Sequence, residues 1–263
     1  IVIDMIIIFI KNLFAKNTFN FFIINTFMNY TGFMRSLSET EWAHKTITDP
    51  KQGPLLYNNY SERFELRQGD CSSVDGWDDC KNDRERAELR QLPPYERLGV
   101  PTWYSWHIYF PNDWQDTPEL SVTLGQFHQW QQQKPALMFV KYQGGYAVRL
   151  ENSRFSKRKH AFPDRRFMLV DEKNLRGKWH KILVYAKWSR FEDGMLKIWA
   201  NDQLKTNMAG PNVLYDSEIY FKYGIYRAFV SRMSDRPTGI VYYNSVRKGA
   251  TRFDVDPSLN KNF

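Results

Sequence analysis

The sequence predicts an all-β protein, an antiparallel β-sandwich of the jelly-roll type with a concave substrate cleft. Three observations carry this expectation. Short runs rich in β-branched and aromatic residues recur along the chain, separated by clusters of Pro, Gly, Asn and Asp. Several of these runs alternate polar with apolar residues, the pattern of a strand with one face packed and the other free. No long stretch has helical periodicity, and there is no heptad pattern or internal repeat. At 263 residues, one domain with one large core suffices.

Residues 1–27 are dominated by Ile, Phe, Asn and Lys, with Lys11 and Lys16 interrupting the apolar run. That run fails as a continuous membrane span, and it lacks the basic, apolar and small-residue order of a signal peptide. Residues 1–45 therefore read as an N-terminal extension, a leader or translated upstream sequence with Met28 or Met34 as the start. Residues 46–263 read as the sandwich domain. Within it, Arg63–Arg67 and Arg86–Arg90 alternate cleanly, and Pro93-Pro94 closes the second of these strands. Trp103–Phe110 is a rich β-former ended by Pro111-Asn112-Asp113, and Leu120–Trp130 is the next strand. Ala136–Tyr142 and Tyr146–Glu151, separated by Gly144-Gly145, form a hairpin signal. A basic stretch without clear period, Arg154 to Arg166, reads as a solvated loop. Strands follow at Lys178–Trp188, Met195–Ala200 and Tyr220–Val230, with turns at Glu192-Asp193-Gly194 and Asn201-Asp202.

Aromatic residues make up 16% of the chain, and Lys plus Arg number 37 against 29 for Asp plus Glu. The formal charge of +8 favours a polyanionic partner: nucleic acid, acidic lipid or acidic polysaccharide. The two cysteines, Cys71 and Cys80, share a short polar loop with no His nearby, so a local disulfide is expected rather than a zinc site. A disulfide suits an extracellular or periplasmic protein. No His pair has metal-ligand spacing, and there is no Gly-x-Ser-x-Gly elbow, Walker loop or dinucleotide fingerprint. His44, His107, His160 and His180 receive no role.

Three polar strand faces remain. Arg86, Glu88 and Arg90 lie on one side of their strand; Gln126 and His128, with Trp130 at the same period, share a second face; Tyr220, Lys222, Gly224 and Tyr226 share a third. If the three strands are neighbours, guanidinium, amide, imidazole, ammonium and phenol groups meet. That set suits β-elimination from a uronic acid in a polysaccharide. Removal of the C5 proton builds charge on the C6 carboxylate, which Arg and Gln can neutralise, while His and Tyr supply base and acid. The chemistry itself needs no metal or organic cofactor.

These motifs resemble the signature strands of the jelly-roll polysaccharide lyases. Arg86-Ala-Glu-Leu-Arg90, Gln126-Phe-His128 and Tyr220-Phe-Lys-Tyr-Gly-Ile-Tyr226 are similar to those of family 7 alginate lyases. The longer context, Asp79-Cys-Lys-Asn-Asp-Arg-Glu-Arg86, Trp103 to Pro111, Gly177-Lys-Trp-His180 and Gly224-Ile-Tyr-Arg227, looks closer to the glucuronan lyase and heparin lyase I-like group. The resemblance spans about Tyr60 to Phe229. It implies that Gln126 and Arg86 bind the carboxylate, that His128 is base or neutraliser, and that Tyr226 is acid or both acid and base. Arg90, Glu88, Trp130, Lys222, Tyr220 and Arg149 would line the substrate subsites. The chain departs from the alginate lyase pattern at Tyr223, where a small residue is expected, and at Arg227, where a small polar one is. Some relatives of this kind hold a Ca²⁺, for which no acidic cluster here argues strongly.

Three other readings compete. A glycoside hydrolase needs two flanking carboxylic acids, and no Glu-x-Asp-x-x-Glu strand is present. A non-catalytic carbohydrate-binding module would use Trp130 and other aromatics as platforms and would bind without cleaving. Nucleic-acid binding through Arg154 to Arg166 ranks last, because it leaves the Gln-x-His strand unexplained. The expected partner is thus an anionic polysaccharide, taken by a monomer without a membrane span.

Overall fold

The computed structural model describes residues 32–256, apart from 37–39, 57–58, 72, 75, 118–119, 133 and 151–165. Residues 1–27, Met28 and the basic stretch up to Arg165 lie outside the described residues. The described strands are β1 (Phe33–Ser36), β2 (His44–Ile47), β3 (Ser61–Leu66), β4 (Ser73–Val74), β5 (Trp77–Asp78), β6 (Arg84–Gln91), β7 (Pro101–Tyr109) and β8 (Val122–Gln129). They continue as β9 (Pro135–Tyr142), β10 (Gly145–Leu150), β11 (Arg166–Asp171), β12 (Trp179–Lys187), β13 (Met195–Ala200), β14 (Gln203–Ala209), β15 (Ile219–Ala228) and β16 (Gly239–Gly249).

Two antiparallel seven-stranded sheets form the sandwich. The front sheet runs β1-β6-β15-β8-β9-β10-β11 and the back sheet β14-β13-β12-β7-β16-β3-β2, while β4 and β5 make a small separate ribbon. Alternation sends Phe127, Phe139, Phe221 and Tyr223 of the front sheet inward to meet Phe64, Tyr104, Trp106 and Tyr243 of the back sheet. Their rings pack at offset or edge-on angles, as in Trp106 against Phe139 at 4.8 Å and Phe127 against Phe221 at 4.8 Å. The other face of each front strand is left for chemistry.

The sandwich takes in chain ahead of residue 46, since β1 pairs with β6 and β2 with β3. The hairpin loop is Gln143-Gly144; Gly145 already begins β10, with a φ of 132° that favours glycine. Arg166, read from sequence as the end of a loop, opens edge strand β11. Strands β14 and β16 also lie outside the sequence reading. The first is a polar edge strand with little hydrophobic signal, and the second carries its run of β-formers at Ile240–Tyr243 and turns mostly polar after it. Among the described residues no helix is long and apolar enough to cross a membrane.

Candidate active site

Strands β6, β15 and β8 are consecutive in the front sheet, so the three polar faces meet. The register sets Lys222 beside both Arg90 and Gln126, Tyr226 beside Arg86, Gly224 beside Glu88, and Tyr220 beside His128. Gly224 is required in this arrangement. A Cβ there would run into the Ala87 carbonyl and the Glu88 backbone, and its φ of 128° is one that glycine alone adopts without strain. The same Cβ would also press on the Phe64 ring in the core, so glycine lets the sheet close over that ring at this point.

At the centre lies a buried, charge-balanced cluster of two cations and two carboxylates. Arg86 is clamped by Asp79 through Nε at 2.6 Å and Nη2 at 2.7 Å, and donates Nη1 to Glu88 at 3.3 Å. Lys222 Nζ reaches the same Glu88 oxygen at 3.4 Å. Gln126 Nε2 donates to the other at 2.6 Å. Because an ionised carboxylate only accepts, this contact fixes the Gln126 amide with nitrogen towards Glu88 and leaves its second N–H for a ligand. Burial works against the Arg86 charge, yet Glu88 and Asp79 outweigh it and raise its pKa. Burial pulls Lys222 down to about 8, against the opposing pull of Glu88.

His128 and Tyr226 stand on this cluster with different protonation. Burial, aided by the Lys222 charge, lowers the His128 pKa to about 4, so its ring is neutral at pH 7. Its Nδ1 lies 3.1 Å from the Gln129 carbonyl, which can only accept; the proton therefore sits on Nδ1 and Nε2 keeps a lone pair. Burial raises the Tyr226 pKa, although the Arg86 guanidinium, 4.9 Å from the ring centroid, pulls the other way. The resting pair is thus a neutral imidazole with a bare nitrogen and an intact phenol.

Trp130 falls just past the end of β8 and joins Tyr220 and Tyr95 in an aromatic wall, with Tyr95 4.8 Å from Trp130 and 5.1 Å from Tyr220. Tyr95 is absent from the sequence reading. Burial, reinforced by Glu88, pushes Tyr220 up to about 12. Arg90 shares the Lys222 and Gln126 row. Arg149 stands two strands beyond Gln126 in the same row, past Met138, which joins Val140 and Ala147 of the next same-face row in an apolar patch.

Asp79 also escaped the sequence reading, although the motif ending at Arg86 begins with it. It is fully buried, accepts from Trp77 Nε1 at 2.9 Å, and precedes Cys80, which is disulfide-bonded to Cys71. The expected loop bridge is therefore present, and it ties down the carboxylate that holds Arg86. The two departures from the alginate lyase pattern face away from the site. Tyr223 points into the core with its hydroxyl on Glu62, and Arg227 is paired with Glu85. Among the described residues no group of three His, Cys, Asp or Glu side chains is arranged to hold a metal ion. The two carboxylates at the site are already matched by cations.

A protein-family model described as polysaccharide lyase matches residues 38–247. No curated protein matches the chain by sequence. Among solved structures, an endo-β-1,4-glucuronan lyase from the fungus Trichoderma reesei is similar in fold, with a TM-score of 0.61 at 18% identity over 85% of this chain and 93% of that one. An alginate lyase of polysaccharide lyase family 7 gives 0.55 at 14% identity over 84% and 95%. One from Corynebacterium sp. gives 0.54 at 15% identity over 84% and 95%.

Proposed function

Because the chain belongs to the polysaccharide lyase family, we propose that it cleaves a uronic-acid-containing polysaccharide by β-elimination, with a glucuronan-like chain the first candidate and alginate or heparin-like chains the next. The observation that supports this is the meeting of Gln126, His128, Lys222 and Tyr226 over one buried charge-balanced cluster. The likeness to the glucuronan lyase and the longer sequence motifs favour the first candidate.

In this reading the substrate carboxylate lies against the free Gln126 N–H and the Lys222 ammonium, which offset the charge that builds on it. Removal of the C5 proton leaves electrons that form the C4–C5 double bond as the C4–O4 bond breaks. The O4 oxygen then takes a proton. Where C5–H and O4 lie on opposite sides, as in guluronate or iduronate, His128 Nε2 takes the first proton and Tyr226 gives the second. Where they lie on the same side, as in glucuronate or mannuronate, Tyr226 serves as both and must first be ionised, with Arg86 beneath its ring assisting, while Gln126 and Lys222 carry the carboxylate and the bare His128 Nε2 would have to gain a proton before it could join them. Arg86 has most of its N–H groups engaged and acts here through Tyr226 and Glu88 rather than as the main carboxylate ligand.

The test is to incubate the protein with glucuronan, alginate, heparin and hyaluronan while following the ultraviolet absorbance of the unsaturated uronate product. Binding without product across this panel would favour the carbohydrate-binding module instead. The Lys222 ammonium is present below about pH 8 and lost above it. We therefore expect kcat/KM to fall above about pH 8, and Lys222→Arg, which cannot deprotonate in this range, to carry that limb upward. An unshifted limb would remove Lys222 from the carboxylate site. The disulfide and the substrate class together support an extracellular or periplasmic location.

A further inference from the structure

The centre of the site has no charge to spare, since Arg86 and Lys222 are matched by Asp79 and Glu88. Cations without a carboxylate partner lie at its ends. Among the described residues Arg84, Arg90 and Arg232 take part in no direct ion pair, although the Arg84 charge acts on the neighbouring Asp83 carboxylate, which the Ser231 N–H and hydroxyl occupy. Arg90 is already accounted for as a subsite residue; Arg84 and Arg232 are not. Both come within cation–π range of one ring, Phe229, at 4.3 Å and 5.7 Å from its centroid.

Phe229 is an unusual residue in two respects. Its φ of 59° places a bulky side chain in the left-handed region, where only glycine and a few small polar residues are at ease. Its side chain is also 47% exposed, so burial returns little for that strain. The surroundings hold it there. Asp83 accepts from the Phe229 backbone N–H at 2.9 Å, from the Ser231 N–H at 2.7 Å and from the Ser231 hydroxyl at 2.8 Å. Strain kept in place by surrounding bonds, at an exposed aromatic, points to a ligand.

Its position identifies the ligand. Phe229 follows Ala228, which pairs with Arg84, one step along the same strands from the Tyr226 and Arg86 pair. Arg84 is on the Arg86 side of β6, while Glu85 faces the other way to meet Arg227. The Arg84 charge is close enough to act on Tyr226. We propose that Arg84, Arg232 and Phe229 form a carboxylate-binding subsite beside Tyr226, which takes the uronate next to the one being cleaved. The ring holds the two guanidinium groups beside each other; Arg84 spends Nη1 on the Asp83 carbonyl at 2.9 Å, and its remaining N–H groups together with those of Arg232 receive a carboxylate.

This rests on reading the site as that of a polyuronate lyase, and binding can be measured apart from cleavage. Hexameric oligosaccharides of glucuronate and guluronate are titrated by calorimetry into the full chain carrying Tyr226→Phe, with and without Arg84→Gln plus Arg232→Gln. The double substitution should weaken binding about tenfold or more and flatten its salt dependence. Affinity within about twofold of the parent, or failure of both hexamers to bind the parent, would overturn the subsite. Binding that needs the two arginines, in a wild-type chain that cleaves neither polymer, would overturn the lyase reading alone. Phe229→Gly and Phe229→Ala separate function from folding. Both should weaken binding alike, while Gly should melt about 2–4 °C above Ala because only it accepts the φ without strain. Affinity that recovers in step with the melting temperature would make Phe229 merely structural.

Discussion

Tyr226→Phe is expected to lower kcat by about 10²–10⁴ on any polyuronate the protein cleaves, with the fold intact, because the leaving O4 then loses its proton donor by either route. The phenol packs over Arg86 and, among the described residues, makes no hydrogen bond of its own, so the substitution removes one oxygen and leaves the packing. His128→Ala should cost a comparable factor only where His128 is the base. The bare Nε2 and the neutral ring suit that role for guluronate or iduronate. For glucuronate the same variant should lose less than Tyr226→Phe, since Tyr226 then moves both protons. Measuring kcat for both variants on glucuronan and on polyguluronate gives four numbers whose pattern assigns the base. Near-normal turnover in both variants would remove both residues from the mechanism.

The outline of this site was legible in the sequence because strand periodicity says which residues share a face. Arg86 with Glu88, Gln126 with His128, and Lys222 with Tyr226 follow from a period of two and from the motifs they form. Strand order did not follow from the same reasoning. That β15 lies between β6 and β8 depends on pairing across about 90 to 140 residues of chain, on which local sequence is silent. For the same reason Arg149 could not be seen to stand two strands off, nor Tyr95 to complete the wall beside Trp130. Tyr223 and Arg227, the two departures from the alginate lyase pattern, are core and ion-pair residues, which the sequence could not show because their partners Glu62 and Glu85 arrive from distant strands. Asp79 shows the limit most clearly. It sits in a loop without periodicity, and only the folded position of that loop makes it the partner of Arg86.

Asp79→Asn should therefore be the most damaging single change away from the reacting atoms. Asn can accept one of the two Arg86 bonds but turns an N–H towards the other, leaving a buried guanidinium with Glu88 alone. Removing one partner of a buried pair typically costs about 3–5 kcal/mol. At about 2–4 °C per kcal/mol for a chain of this size, the melting temperature should fall by roughly 6–20 °C. Activity should fall as well at temperatures where the variant is still folded, because Arg86 no longer has a fixed place under Tyr226 and Glu88 loses part of its hold on Lys222 and Gln126. Asp79→Glu separates charge from geometry: it restores the negative charge on a longer arm and should recover stability more than turnover. Replacing both Cys71 and Cys80 with Ser should act in the same direction but more weakly, since Trp77 and the Arg84 N–H still anchor Asp79. A thermal melt and a turnover assay on the three variants would decide it. If Asp79→Asn melts within about 2 °C of the parent, the buried pair is not what holds Arg86, and the charge-balanced centre loses its foundation.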